Sequence, residues 1–366
     1  MSNKFIPWAS TTYWGEEQSY VVDALKSTWI SGGSYVEKLE ADFAKFCNTT
    51  YAITSSNGTT AIQLAYTAID IKPNDEIIVP GFGFMAAANV ALNMYAKPIF
   101  CDVDYDSWCM SGVNLESCIT PKTKAIVPIH TYGNVCDMDV ILEIANKYHI
   151  PVIEDAAEAI GSEYKGKVAG TLATLGTYSF HATKTITTGE GGAIVTNSLE
   201  LSNKMKLYRS HGMSTRRYWH DVAGHNFRLT NMQAALGCGQ LEQIERIRTE
   251  RNRVYQNYLK QLNHIDGITM QKFHPNVNPL VWAIAIRIDD KAFPQGRDSL
   301  IQQLQTFGIE TRPGFYSANF MPHIYGETNL PISQNLSERI ISLPSSPTVT
   351  DEDIEFICNS LISLVK

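Results

Sequence analysis

The chain has 366 residues, 44% of them hydrophobic and 18% charged, with a formal net charge of −7. That length exceeds what one core usually fills, so a large domain and a smaller one are expected. The acidic balance excludes a nucleic-acid binder that works by displacing phosphate counterions, but an anionic small molecule stays open, because local fields decide that.

In chain order, helical periodicity is expected over residues 59–70, a short apolar strand over 76–80, and a helix over 85–95. Strands follow at 98–104 and 124–130, a helix at 138–148, and strands at 151–155, 177–181 and 192–197. The alternation predicts a mainly parallel α/β sheet with helices on both faces. Its last three strands follow one another so closely that part of the sheet can break the pattern. A single long helix over 231–262 is expected to cross into a second region. There the pattern changes to a strand at 280–288 and helices at 298–307 and 351–364, which reads as a small α+β domain. The division expected is 1–245 for the large domain and 246–366 for the small one.

The seven cysteines are scattered, odd in number and without a Cys-x-x-Cys, the pattern of free thiols in a reducing compartment. The nine histidines show no zinc-like spacing with them, so no metal is expected. The start, Met1-Ser2-Asn3-Lys4-Phe5-Ile6-Pro7-Trp8, has no apolar signal core, and no apolar run is long enough for a bilayer. A cytoplasmic protein without membrane contact is the expectation.

Three local patterns carry chemistry. Residues 176–192 read Gly-Thr-Tyr-Ser-Phe-His-Ala-Thr-Lys-Thr-Ile-Thr-Thr-Gly-Glu-Gly-Gly, which sets Lys184 between an apolar strand and a glycine-rich turn. The strand at 151–155 ends in Asp155, followed by Ala156-Ala157-Glu158. The run Ser55-Ser56-Asn57-Gly58-Thr59-Thr60 opens a helix, and a small-residue turn at a helix start offers free N–H groups to an anion. A lysine amine, an acid for a ring nitrogen and a phosphate turn are what pyridoxal 5′-phosphate needs from a protein. Beside a cationic ring nitrogen, Asp155 is expected to stay ionised, and the Ser179 hydroxyl could add to the phosphate site. Singly, a strand-end aspartate also serves turns and a Ser-Asn-Gly-Thr run also opens ordinary helices. The ordered set is what points to the cofactor.

The same residues resemble the DegT/DnrJ/EryC1/StrS family of pyridoxal-phosphate sugar-nucleotide aminotransferases. The strongest block is 152–197. Trp29-Ile30-Ser31-Gly32-Gly33, residues 56–61, Arg209-Ser210-His211-Gly212-Met213, residues 224–231 and Leu343-Pro344-Ser345 support it. The resemblance implies an aspartate-aminotransferase-like (fold type I) large domain with a small C-terminal domain. It implies that Lys184 binds the cofactor covalently, Asp155 faces the pyridine nitrogen, and Glu158, often Gln in relatives, meets the phenolic oxygen. Ser56, Asn57, Gly58, Thr59 and Ser179 would hold the phosphate, and Phe84 would stack on the ring, with Phe82 offering a similar face. Asn226 would reach the phosphate of a neighbouring subunit, as expected of a homodimer with shared sites. His181, Arg312 and Tyr316 are candidate substrate contacts. Gly83 departs from relatives that carry Thr there, and Arg312-Pro313-Gly314-Phe315-Tyr316 matches only loosely.

For the reaction, the resemblance implies transfer of an amino group from L-glutamate to a nucleotide-linked keto sugar, with pyridoxamine 5′-phosphate formed in the cycle. The alternatives are a sugar dehydratase or lyase on the same fold, a C-3 aminotransferase, and a non-catalytic cofactor-binding regulator. Lys-Thr-Ile-Thr-Thr-Gly-Glu-Gly-Gly from Lys184, with Tyr218-Trp219-His220 before Gly224-His225-Asn226, is similar to the perosamine synthases within the family. C-4 of a 4-keto-6-deoxy sugar nucleotide, GDP-, dTDP- or UDP-linked, is therefore the expected site of amination.

Overall fold

The computed structural model describes residues 4–324 and 328–366. Its centre is a sheet of β1 (Tyr51–Ser55), β2 (Glu76–Pro80), β3 (Lys97–Cys101), β4 (Thr123–Ile126), β5 (Ile153–Asp155), β6 (Leu175–Ser179) and β7 (Gly192–Thr196). Four strands run in the order β1-β7-β6-β5 and three in the order β3-β2-β4. Parallel bridges Ile126–Val152 and Ile129–Asp155 join β4 to β5, which makes one continuous sheet. β7 is antiparallel to both of its neighbours, and the other pairings are parallel. The expected break near the end of the strand series is this reversed strand.

Period-two alternation explains why both faces are covered. Ile53, Ile77, Val79, Ala125, Val127, Ile153 and Ile194 enter one apolar cluster, with the helices Gly58–Ala68 and Ala86–Asn93. Their neighbours Ala52, Ile78, Ile126, Val152, Ala193 and Val195 enter another, with Ser34–Phe46, Met138–Lys147 and Asn231–Glu242. A sheet buried on both sides reads as short runs of unbroken apolar residues, as these strands do.

The expected long helix is instead two, Asn231–Glu242 and Ile244–Leu262. They part at Gln243, whose backbone (φ −96°, ψ 10°) closes one helix and opens the next. Ala234, Cys238 and Leu241 of the first helix pack into the large core, and Val254, Tyr258 and Leu262 of the second into a separate C-terminal one. The second helix spans the two, since Ile244 and Ile247 at its start also pack into the large core.

That second core lies on an antiparallel sheet of Ile268–Met270, Ile284–Ile288, Ile340–Leu343 and Arg312–Pro313, in that order. Gly296–Thr306 and Asp351–Ile362 cover it. The N-terminal segment joins this unit, since Ile6 bridges to Ile309 and sits in its core. Between the two units lies a smaller aromatic cluster of Phe82, Trp108, Tyr132 and Trp282, with Trp8 and Phe315 against it. Among the described residues, no helix is long and apolar enough to cross a membrane.

Candidate active site

Register brings three strand ends together. Gly192 of β7 pairs with both Ser55 and Ser179, and Asp155 of β5 pairs with Thr177. The C-terminal ends of β1, β6 and β5 thus lie side by side, the edge where open α/β sheets place their ligands. A cleft of about 930 Å³ opens there, toward the aromatic cluster.

Asp155 lines the cleft and is buried. One carboxylate oxygen accepts the Ala157 N–H at 3.1 Å. Burial pushes this acid up from 3.8 to about 6; the Ala157 hydrogen bond pulls it down, the Glu158 charge pushes it up, and Lys184 and His130 pull it down. Such an acid is poised for a cation, because a positive ring nitrogen beside it would offset the cost of burying its charge. The strand under it is held by its neighbour. The fully buried Glu154 accepts the amides of Gly170, Leu172 and Ala173 at 2.8, 2.7 and 2.8 Å. It also accepts Nε2–H of the fully buried His130 at 3.0 Å. Nδ1 of His130 accepts the Cys136 N–H, which fixes that tautomer.

Lys184 projects from the loop after β6. Its Nζ lies 3.4 Å from Glu158 Oε1 and 3.7 Å from the centroid of the Trp282 ring. The other Glu158 oxygen accepts the Tyr132 N–H at 2.9 Å. Lys184, Glu158 and Asp155 therefore share one wall of the cleft.

The anion turn is built as its residue types require. Asn57 caps the helix Gly58–Ala68 with a capping box, its side chain accepting from Thr60 N and the Thr60 hydroxyl accepting from Asn57 N. That leaves the amides of Gly58 and Thr59, which meet no protein acceptor among the described residues. Both residues line the cleft. Gly58 is needed for a close approach, since a Cβ there would lie 2.9 Å from the Ser179 Cβ. Ser179 and Asn57 line the cleft as well. Ser56 does not; its N–H donates to Phe227 O and its hydroxyl meets the Thr60 hydroxyl at 3.1 Å, so it braces the turn from behind. Free amides at a helix start, a hydroxyl, an unsatisfied acid and a lysine in one cleft fit a flat phosphate-bearing cofactor.

The structure separates two candidate aromatic rings. Phe82 is buried in the aromatic cluster, while Phe84 is 61% exposed and lines the cleft. Gly83 between them has φ +148°, a conformation glycine tolerates and threonine does not. His181 and Arg312 also line the cleft; the Arg312 guanidinium pairs with Glu310 at 2.7 Å. Tyr316 does not line it. Its hydroxyl accepts from Arg297 at 3.3 Å, and Phe315 takes the place in the wall. Asn226 is exposed and outside this chain's own cleft. The sequence reading missed Trp8, Tyr132, Trp282 and Phe315, which also line the cleft, Trp282 against Lys184. Their signal was weak because aromatics in apolar runs also fill ordinary cores.

Comparison with known proteins agrees with this geometry. The profile of the DegT/DnrJ/EryC1/StrS aminotransferase family matches residues 13–362. The chain is 41% identical over 362 residues to a GDP-perosamine synthase of Escherichia coli O157:H7, covering 98% of each chain. It is 40% identical over 354 residues to a GDP-perosamine synthase of Caulobacter vibrioides, covering 95% of each. Among solved structures, Helicobacter pylori PseC, an aminotransferase of pseudoaminic acid biosynthesis, superposes with a TM-score of 0.93 at 27% identity over 99% of both chains. The match spans both sheets and the cleft between them, and on these grounds the chain belongs to the DegT/DnrJ/EryC1/StrS aminotransferase family.

Proposed function

We propose that this enzyme transfers the amino group of L-glutamate to C-4 of a nucleotide-linked 4-keto-6-deoxyhexose. The observation that carries this is one cleft holding Lys184, Asp155 and the free amides of Gly58 and Thr59, in a chain 36–41% identical to GDP-perosamine synthases. A GDP-linked sugar is the first candidate on that similarity, and the loop Thr185–Gly192 after the lysine supports C-4.

Pyridoxal 5′-phosphate, when bound, supplies an electron sink that makes the α-proton of an amino acid removable. The residues of this chain do the rest. Gly58 and Thr59 amides and the Ser179 hydroxyl would hold the phosphate, with the helix dipole behind them. Asp155 would keep the pyridine nitrogen protonated, and Phe84 would offer its ring to the cofactor. Glu158 keeps Lys184 at hand, and Lys184 Nζ takes the α-proton of the donor and later returns one to the sugar carbon that receives nitrogen. His181 and Arg312 stand at the cleft for the sugar nucleotide, Arg312 suited to a phosphate oxygen. Asn226, exposed away from its own cleft, would serve the site of a second subunit, and the exposed Trp29, Tyr218 and Trp219 supply apolar surface for that contact. The seven cysteines are all free, which supports a reducing, cytoplasmic setting.

The test is a panel of GDP-, dTDP- and UDP-linked 4-keto-6-deoxyhexoses incubated with holoenzyme and glutamate. Stoichiometric 2-oxoglutarate with a 4-amino sugar is expected. A deoxy sugar without nitrogen would establish the lyase instead, and an amine at C-3 would overturn the regiochemistry.

A further inference from the structure

We propose that Trp282 is a positioning residue of this site, its indole face holding the Lys184 amine in place whenever that amine is not bound covalently. This rests on the reading of Lys184 as the amine that moves the proton. Lys184 Nζ sits 3.7 Å from the Trp282 ring centroid, well inside the range of a cation–π contact, and indole is the strongest partner for one. Glu158 approaches the same ammonium at 3.4 Å, so Lys184 is held between a carboxylate and a ring face.

The ring is itself held firmly. Trp282 Nε1–H donates to Thr183 O at 2.6 Å, the carbonyl next to the lysine. Its backbone N–H donates to Tyr132 O at 3.1 Å, and its carbonyl accepts from the buried Arg251 guanidinium at 2.7 Å. Trp8 meets the ring edge-on at 5.8 Å and Tyr132 stacks beside it at 6.3 Å. A side chain this constrained is a template rather than a filler. Trp282 lies just before the strand Ile284–Ile288 of the C-terminal sheet, whereas Lys184 lies in the loop after β6 of the large sheet. One residue thus clamps the lysine loop to the second unit and orients the lysine amine. A lysine with four rotatable bonds otherwise spreads over many rotamers once released from the cofactor. Restricting it to the cleft wall keeps the amine, once it has given up its proton, near the carbon it must serve.

Trp282→Phe keeps a ring face and loses the Nε1 donor, and Trp282→Leu loses both. The first readout needs neither donor nor sugar: the rate at which the cofactor-free full-length chain captures pyridoxal 5′-phosphate, followed by absorbance. The second is the split between kcat and KM for the keto sugar. For Trp282→Leu we expect capture and kcat to fall about tenfold, with KM within about twofold, and Trp282→Phe to recover most of the loss. The proposal is overturned if Trp282→Leu captures cofactor within about twofold of the parent chain, or if Trp282→Phe falls as far as Trp282→Leu. Failure of the sugar assignment leaves the capture rate readable. Undiminished covalent capture by Lys184→Ala would sink the reading of Lys184 instead.

Discussion

Asp155 is a buried acid with one hydrogen bond, and that placement makes its behaviour testable. Its folded value is raised from 3.8 to about 6. The stability this group contributes is therefore fully present below about pH 4 and lost as pH rises through about 6. In the cofactor-free protein at pH 8 the ionised carboxylate costs up to roughly 3 kcal/mol. Asp155→Asn should raise the unfolding midpoint of that protein at pH 8, and the gain should vanish near pH 4. Calorimetry at the two values checks it. The same substitution should lower turnover by about a hundredfold or more, because the proton on the ring nitrogen loses its partner. Lys184, Asp155, Glu158 and the Gly58–Thr59 pair were legible because each sits at a strand end or helix start, where short-range backbone geometry decides what a residue can face. Tyr316 lies outside the cleft wall, which Arg312, Pro313 and Phe315 line.

At the scale of elements, the site depends on two tight junctions. The helix Gly58–Ala68 starts against the end of β6, and Gly58 permits that contact. Gly58→Ala should push the turn away from Ser179 and weaken cofactor affinity by about tenfold with a smaller effect on the unfolding midpoint; titration of the cofactor measures it. The other junction is Glu154. Removing its carboxylate strands three amides and the His130 Nε2–H, all in or near the core. Glu154→Ala should cost about 3 kcal/mol or more in urea unfolding. β1 escaped the sequence reading even though Tyr51, Ile53 and Thr54 are strand formers. The expected helix over 231–262 parts at Gln243, whose backbone (φ −96°, ψ 10°) closes one helix and opens the next.

For the whole molecule, the open question is what Asn226 serves. It is exposed and away from its own cleft, so its proposed role needs a second copy. Lys184→Ala and Asn226→Ala chains should each be impaired alone. Mixed by co-expression they should recover about a quarter of the parent activity, because a mixed dimer concentrates both lesions in one site and leaves the other whole. No recovery on mixing would mean that Asn226 acts within its own chain. Assays of mixtures across a range of ratios check this directly.

The sequence by itself determined the large unit's alternating strands and the local chemistry at their ends: a lysine after one strand, an acid at the end of another and a capped helix start beside them. These follow from short stretches of chain and from periodicities a few residues long. Only the tertiary structure decided which aromatics face the cleft, that Phe84 rather than Phe82 is the exposed ring, and that Trp282 meets Lys184. Those contacts join segments far apart in the chain, and packing between two separate cores sets them.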